Sequence, residues 1–231
     1  LLDAMPEDRL DMIMPDWIIK NLKQYDYSCS PGCSIGCCNI MAVKGDESPY
    51  AKQLTGTYCV APELYALGKF GVGCDVADFP AITIINNMCN KYGLDGLEVG
   101  SIIPWLMELW ERGVITEKET AEWCGEPIRL EWGNVEAMAK VISSMGTQEN
   151  ELGRILKDGI LPADERIMML TDKPTLQYAT YGKGGVAYLK EARSFPSWAT
   201  MLAVASRGDD HLKGLNMLEK GQRRDVSMAW F

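Results

Sequence analysis

The sequence predicts a mainly α-helical fold. Apolar residues recur at helical spacing in several segments, glycine-containing connectors separate these segments, and no stretch alternates long enough to form a large sheet. The chain has 231 residues, 47% of them hydrophobic, which is enough for a core in one large or two small domains. We expect a helical domain over residues 1–200 and the start of a second, truncated helical domain over residues 201–231.

The first strong helices are predicted from local signals. The segment DFPAITIINNMCNKYG (78–93) has Pro80 in a first turn, an apolar face and Gly93 as a stop. The segment IIPWLMELWERG (102–113) has apolar residues at helical spacing and closes with Gly113, which suits a C-terminal cap. Both segments are therefore predicted to be amphipathic helices.

The later helices are predicted by similar signals. Asn134 opens WGNVEAMAKVISSMG and Asn150 opens NELGRILKDG, and an asparagine side chain can cap a helix N-terminus. Gly146 and Gly159 are predicted to end these two helices. The pattern is weaker after them, where YGKGGVAY is interpreted as a turn that leads into a short strand. A last helix is predicted in SFPSWATMLAVASRG, starting near Pro196.

Composition argues against several classes of function. The formal net charge is −9 at pH 7, and an acidic surface gains no counterion-release energy from nucleic acid or anionic lipid. The first residues carry no export signal, and no uncharged apolar run approaches the roughly 20 residues of a membrane-spanning helix. We expect no nucleic-acid partner, no membrane and a cytoplasmic location. Because Leu1 is not an initiator residue, we also expect a fragment of a longer protein.

Half of the eight cysteines fall within YSCSPGCSIGCCNI, residues 27–40. Without an export signal a disulfide framework is the less favoured use, so reduced thiols remain for metals. The spacing Cys29-x3-Cys33-x3-Cys37, followed by Cys38, is compatible with an iron–sulfur cluster, a zinc site or simple packing. Zinc usually takes ligands in two pairs, and no second pair or nearby histidine follows. This favours an iron–sulfur cluster, with Cys38 as a packing residue.

Further motifs follow the cysteine loop in a recognisable order. They are Pro62-Glu63, NKYGLD (90–95), IIPWLMELWERGVIT, Gly133-Asn134, LKDG, Lys183-Gly184 and ASRGDDHL (205–212). With this succession the chain resembles the tungsten-containing aldehyde ferredoxin oxidoreductases over residues 27–214, and it looks like their middle domain plus the start of the last one. The resemblance implies helical domains that hold a tungsten bis-pterin centre beside an iron–sulfur cluster.

The resemblance implies metal-ligating roles for four cysteines. Cys29, Cys33 and Cys37 would bind a 4Fe–4S cluster, although the first gap has three residues here and two in the family. The family's fourth ligand belongs to a later domain, and Cys38 or Cys59 could substitute, ranked below that downstream cysteine. In the related aromatic acyl-CoA reductases a cysteine near this point binds tungsten, so Cys59 is predicted as a tungsten ligand.

Pterin binding is assigned to four residues by the same resemblance. Asp95 can accept hydrogen bonds from pterin N–H groups, although a carboxylate at such a position is also a common helix cap. Asn90 stands where the family usually has aspartate, and it can still donate and accept hydrogen bonds. Lys183 lies in the K-G turn, and Arg207 has forked donors that suit a phosphate.

Glu63 and His211 are predicted to be catalytic. Glu63 matches a P-E stretch whose carboxylate lies by the substrate pocket in the family, and a carboxylate at a helix N-terminus is the alternative. His211 is the only histidine of the chain, and an imidazole can move the proton that accompanies electron transfer. Its alternative is a surface or packing role.

The predicted activity is oxidation of aldehydes to carboxylic acids at a tungsten, or molybdenum, bis-pterin centre. Electrons would pass through the 4Fe–4S cluster to ferredoxin or to an electron-transfer subunit. The alternatives are an aromatic acyl-CoA reductase, which Cys59 favours, and a non-catalytic iron–sulfur module. The expected substrate is a small aldehyde or an acyl-CoA, and a homodimer is compatible with this interpretation.

Overall fold

A computed structural model describes residues 5–45, 48–53, 58–182, 196–206 and 208. The chain divides into two compact units, Leu1–Ala179 and Thr180–Phe231. The boundary expected near residue 200 stays a prediction about domain organisation. Helices dominate the described residues of both units, which confirms the mainly α fold class.

The helices account for most of the regular structure. In the described part of the first unit they are α1 (Glu7–Leu10), α2 (Pro15–Asn21), α3 (Leu64–Ala66), α4 (Phe79–Tyr92), α5 (Gly96–Glu111), α6 (Glu117–Cys124), α7 (Val135–Thr147), α8 (Glu151–Leu156) and α9 (Ile160–Thr171). The 3-10 turns are Asp11–Ile13, Ala51–Gln53, Val72–Cys74 and Leu176–Tyr178, and Leu67–Gly71 is a π-helical turn. The second unit contains α10 (Pro196–Val204), which confirms the predicted start near Pro196.

Helices α4 and α5 lie close to their predicted positions. The Asp78 carboxylate caps α4 by accepting a hydrogen bond from the Ala81 amide at 2.9 Å, and Gly93 ends the helix with a φ of 68°. Helix α5 begins at Gly96, six residues before the predicted start, and Gly113 follows its end with a φ of 64°. Both glycines adopt the left-handed conformation that terminates helices.

The starts of α7 and α8 are confirmed, whereas their predicted ends are only partly correct. The side chains of Asn134 and Asn150 accept hydrogen bonds from the amides three residues on, at 3.0 and 2.9 Å. Gly146 was expected to end α7, and this is wrong, because the helix continues to Thr147. Gly146 lies inside the helix, where the missing side chain gives Tyr92 room to pack. A Cβ there would lie 2.3 Å from Tyr92 Cγ. Gly159 does follow α8, and α9 begins directly after it.

A small sheet was not predicted. Strands β1 (Lys23–Tyr27), β2 (Cys38–Ala42) and β3 (Tyr58–Val60) form an antiparallel sheet in the order β1-β2-β3. Each strand has only three to five residues, so alternation is too short to detect in the sequence. The sheet matters for the site because its first hairpin carries the clustered cysteines.

Two apolar cores hold the first unit together. The larger core joins α4, α5, α7, α8 and α9, and it contains fully buried residues such as Ile102, Leu106 and Val141. The smaller core includes Leu22, Met41, Cys59 and Phe79, and thereby packs the sheet against the start of α4. In the described part of the chain, no helix has the length and apolar character needed to cross a membrane.

Candidate functional site

The clustered cysteines lie on the connection between β1 and β2. The two strands are in register up to the pair Tyr27 and Cys38, and the loop between these residues holds the other three thiols. The Ser28 hydroxyl donates to the Cys33 carbonyl at 2.6 Å and closes the tip of the loop. Gly32 and Gly36 have φ values of 80° and 57°, which ordinary side chains rarely adopt. The hairpin therefore brings residues far apart in the loop back together at its base.

The contacts at the base of the loop involve a cysteine that was predicted only to pack. Cys38 is the cross-strand partner of Tyr27, with Cys29 and Cys37 close by. Burial raises the pKa of the Cys38 thiol, the neighbouring Cys29 and Cys37 raise it further, and Tyr27 opposes this. Within the described ranges, no three His, Cys, Asp or Glu residues are arranged to hold a metal ion.

Cys59 lies on β3, opposite Met41 of β2. Only 7% of its surface is exposed, and its thiol donates to the Met41 carbonyl at 3.8 Å within the smaller core. Burial raises the pKa of this thiol, which favours the neutral form in these surroundings. The role of Cys59 as a tungsten ligand stays a prediction.

Glu63 and Asp95 both lie near enough to Tyr65 to act on its hydroxyl. Glu63 is exposed and directly precedes α3, and Asp95 directly precedes α5. Burial raises the pKa of Tyr65 to about 12, with smaller contributions from Cys89 and from the negative charges of Glu63 and Asp95. The Tyr65 hydroxyl donates to Asn86 Oδ1 at 2.8 Å. The predicted catalytic carboxylate and the predicted pterin-binding carboxylate thus share Tyr65 as a neighbour.

Asp95 is the N-cap of α5, as its alternative role required. Its Oδ1 accepts hydrogen bonds from the amides of Leu97 and Glu98 at 2.8 and 3.1 Å. The side chain is exposed, and the described residues offer no hydrogen bond to its second oxygen. Asn90 is also exposed, one turn from the end of α4. Capping therefore leaves part of the Asp95 carboxylate and the Asn90 amide facing solvent.

A buried lysine beside this site was not predicted. Lys69 is 8% exposed within the π-helical turn, and its Nζ donates to Ser101 Oγ at 2.9 Å. Glu98 lies nearby and accepts a hydrogen bond from the Ile160 amide at 2.7 Å. Burial raises the pKa of Glu98, and Asp95 adds to the rise, whereas the Ile160 amide and Lys69 oppose it.

The spacing of two glycines in the sequence indicates where Tyr65 and Lys69 closely approach the backbone of α5. Gly96 and Gly100 lie one helical turn apart on α5. A Cβ at Gly96 would lie 2.5 Å from the Tyr65 hydroxyl, and one at Gly100 would lie 2.5 Å from Lys69 Cβ. A glycine pair at this spacing in an otherwise apolar helix indicates that another side chain approaches the backbone, although it does not name the partner.

Three predicted site residues, Lys183, Arg207 and His211, lie outside the described residues. Their roles stay predictions. A separate open cleft of about 320 Å³ is lined by residues including Arg9, Tyr50 and Asp78, and none of the described site residues lines it. The Arg9 guanidinium in this cleft is bound to Asp75 at 3.0 Å.

Comparison with known proteins identifies the class to which this fold and site belong. The family described as "Aldehyde ferredoxin oxidoreductase, domains 2 & 3" matches residues 10–227, and the chain belongs to this family. A similar protein is the aliphatic sulfonate oxidoreductase, WOR-like subunit, of Pyrococcus furiosus, with 24% identity over 93% of this chain and 32% of the relative. The chain thus spans about a third of that relative's length.

Shorter matches point to the same family. The tungsten-containing aldehyde ferredoxin oxidoreductase of Thermococcus kodakarensis is 30% identical over 42% of this chain and 15% of the relative. The enzyme of the same name from Pyrococcus furiosus is 28% identical over 51% of this chain and 17% of the relative. Among solved structures, the active site complex BamBC of benzoyl coenzyme A reductase matches with a TM-score of 0.49 and 18% identity, over 66% of this chain and 20% of that chain.

The residues present fit the cofactors of this family in chemical type. Asn90 and Asp95 present exposed polar groups at the ends of α4 and α5, where acceptors and donors can meet the N–H and carbonyl edge of a pterin. The hairpin loop supplies soft sulfur donors, which iron–sulfur clusters use.

Proposed function

We propose that this chain is the central part of an oxidoreductase that oxidises aldehydes to carboxylic acids at a tungsten bis-pterin centre. Cys29, Cys33 and Cys37 of the β1–β2 loop would hold a 4Fe–4S cluster, which would supply electron transfer to ferredoxin or to an electron-transfer subunit. When bound, the metal and its pterins accept the electrons that the substrate loses. The metal could also be molybdenum, and the setting is the cytoplasm, where thiols stay reduced.

The observation that supports this proposal is that Glu63 and Asp95, the two predicted site carboxylates, both act electrostatically on Tyr65. The family resemblance predicts that the carboxylate before α3 faces the substrate and that the carboxylate before α5 binds the cofactor. Separate elements of the chain carry these residues, 32 positions apart in the sequence. Glu63 makes no capping hydrogen bond to α3, so capping does not explain its position near Tyr65.

The residues of this chain would have separate roles in cofactor binding and proton transfer. Asp95 and Asn90 bind and orient the pterin edge through their exposed polar groups. Addition of water to the aldehyde carbon and oxidation to the acid release two protons and two electrons. Glu63 accepts one of these protons. Tyr65 packs against the backbone at Gly96 and supports the start of α5, next to Asp95. His211 and Arg207 are proposed to serve a second proton step and a pterin phosphate.

Elemental analysis of the full-length protein, purified without oxygen, is the first test. We expect tungsten or molybdenum, pterin, iron and sulfide together, and aldehyde-dependent reduction of a viologen dye. Iron and sulfide without tungsten, molybdenum or pterin would instead identify a non-catalytic electron-transfer module. An assay with an aromatic acyl-CoA and a strong reductant tests the remaining alternative, an aromatic acyl-CoA reductase. The position of Cys59 in the smaller core adds no support for this alternative.

Glu63→Gln tests the catalytic carboxylate. We expect kcat to fall by about 10²–10⁴-fold, since the amide cannot exchange a proton, with tungsten content unchanged. Glu122→Gln is the matched control, because Glu122 is an exposed glutamate of α6 with no described ion pair. If Glu63→Gln and Glu122→Gln had equal activities, Glu63 would have no catalytic role.

A further inference from the structure

A buried lysine takes no part in the proposed function. Lys69 is 8% exposed within the π-helical turn Leu67–Gly71, and its Nζ donates a hydrogen bond to Ser101 Oγ of α5 at 2.9 Å. The Ser101 hydroxyl in turn donates to the Leu97 carbonyl at 3.0 Å, within the same helix. A charged group is costly to bury unless it is hydrogen-bonded, so the contact with Ser101 helps to fix where the end of this side chain lies.

Two glycines determine how the segment from α3 to the π-helical turn packs on α5. Tyr65 and Lys69 of this segment are four positions apart, and so are Gly96 and Gly100 of α5. A Cβ at Gly96 would lie 2.5 Å from the Tyr65 hydroxyl, and one at Gly100 would lie 2.5 Å from Lys69 Cβ. The two contacts advance along both elements in the same direction, so the segment runs parallel to α5. A slip by one residue would bring Tyr65 and Lys69 against positions that carry a Cβ.

The parallel packing places two predicted site carboxylates at the same end of this pair of elements. Glu63 directly precedes α3, and Asp95 directly precedes α5. Helix α5 is also held by α9, because Glu98 Oε1 accepts a hydrogen bond at 2.7 Å from the Ile160 amide at the start of that helix. The register of the segment on α5 therefore determines where Glu63 lies relative to Asp95.

We propose that Lys69 is a positioning residue, whose hydrogen bond to Ser101 locks the segment that carries Glu63 onto the helix that carries Asp95. The inference rests on the proposed function, in which Glu63 accepts a proton and Asp95 binds the pterin edge. The glycines admit the two side chains, and the charge-assisted hydrogen bond adds a fixed direction, because such a bond weakens when donor and acceptor lose their alignment. The π-helical turn agrees with this role, since π-helical turns occur frequently at functional sites. Lys69 acts through Glu63 and does not exchange the proton itself.

Two substitutions remove this hydrogen bond from its two sides in the full-length protein, purified without oxygen. Lys69→Met keeps an unbranched side chain against Gly100 and removes the ammonium group, and Ser101→Ala removes the acceptor. We expect each variant to retain tungsten or molybdenum and to lose about 10–10²-fold in kcat for aldehyde oxidation, because a small displacement of Glu63 misaligns the proton transfer. KM should stay within about twofold of wild type, since binding of the aldehyde in the ground state is unchanged.

The double variant shows whether the two residues act together. Lys69→Met combined with Ser101→Ala should have a kcat close to that of the slower single variant, and not the product of the two losses. Urea denaturation gives a readout that is independent of activity. The midpoint should fall in each single variant, and in the double variant it should fall by less than the sum of the two shifts. Asn150→Ala, which removes the cap of α8, is the control for lowered stability and should keep the wild-type kcat.

Several results would overturn the proposal. Wild-type kcat in Lys69→Met would remove its role, and wild-type kcat in Ser101→Ala would do so if the methionine variant does not fold. An equal loss of kcat in Asn150→Ala would show that lowered stability alone explains the effect. Losses that multiply in the double variant would show that the two residues act separately. A wild-type protein that holds neither tungsten nor molybdenum and oxidises no aldehyde refutes the proposed function and this inference with it, whereas the other results arise in an active wild type, so the two failures are distinguishable.

Discussion

The contact between Gly96 and Tyr65 allows a quantitative test of how Tyr65 packs at the start of α5, beside Asp95. In Gly96→Ala, two effects oppose each other. Alanine favours a helix over glycine by up to about 1 kcal/mol, an upper bound at the first position of α5. The new Cβ would lie 2.5, 2.8 and 3.0 Å from three atoms of the Tyr65 ring and hydroxyl. Overpacking of this kind costs about 1–3 kcal/mol, so we expect a net loss of about 1–2 kcal/mol.

Urea denaturation of the full-length protein, followed by tryptophan fluorescence, measures this loss. The same substitution in a Tyr65→Leu background is the internal control, since removal of the hydroxyl and ring eliminates the clash. There Gly96→Ala should become neutral or stabilise by up to about 1 kcal/mol, and the difference between the backgrounds gives the coupling energy. If Gly96→Ala stabilised the protein with Tyr65 present, the two residues would not be in contact, and the position of Tyr65 near Asp95 would lose its structural basis.

Two further predictions concern stability. The pKa of Tyr65 is raised to about 12 in the folded protein from about 10 in the unfolded chain, so the stability it contributes is complete below pH ~10 and is lost as the pH rises through ~12. Denaturation between these pH values should therefore show a steeper loss for wild type than for Tyr65→Phe, and equal slopes would contradict the burial of the hydroxyl. Asn150→Ala removes the side chain that accepts from the Gly153 amide at 2.9 Å and should destabilise the protein by about 1–2 kcal/mol. Glu149→Ala, an exposed neighbour, should stay within about 0.5 kcal/mol of wild type, and equal effects of the two substitutions would exclude a capping role.

The helices were largely predictable because their signals are local. Asn134 and Asn150 cap α7 and α8, and Gly93 ends α4, each through hydrogen bonds to residues within one turn. The prediction failed at Gly146, where the glycine serves a distant partner, Tyr92. A glycine in the sequence does not reveal whether it ends a helix or admits a neighbouring side chain.

The sheet and the site depended on contacts that no local pattern contains. The thiol spacing predicted a metal loop, but it favoured Cys33 and Cys37 as the companions of Cys29 and interpreted Cys38 as a packing residue. The register of β1 and β2 instead pairs Cys38 with Tyr27 at the base of the loop. This register follows from the pairing of strands whose short length concealed them in the sequence.

By itself, the amino-acid sequence determined the helical class, the positions of most helix ends and the family of the chain. These follow from residue types at fixed short spacings, and a spacing is the same before and after folding. Tertiary structure alone decided that Tyr65 packs against Gly96, that Lys69 is buried against Gly100, and that Cys38 pairs with Tyr27. Such contacts form only when separate elements pack, because close packing leaves each buried side chain a single place to fit.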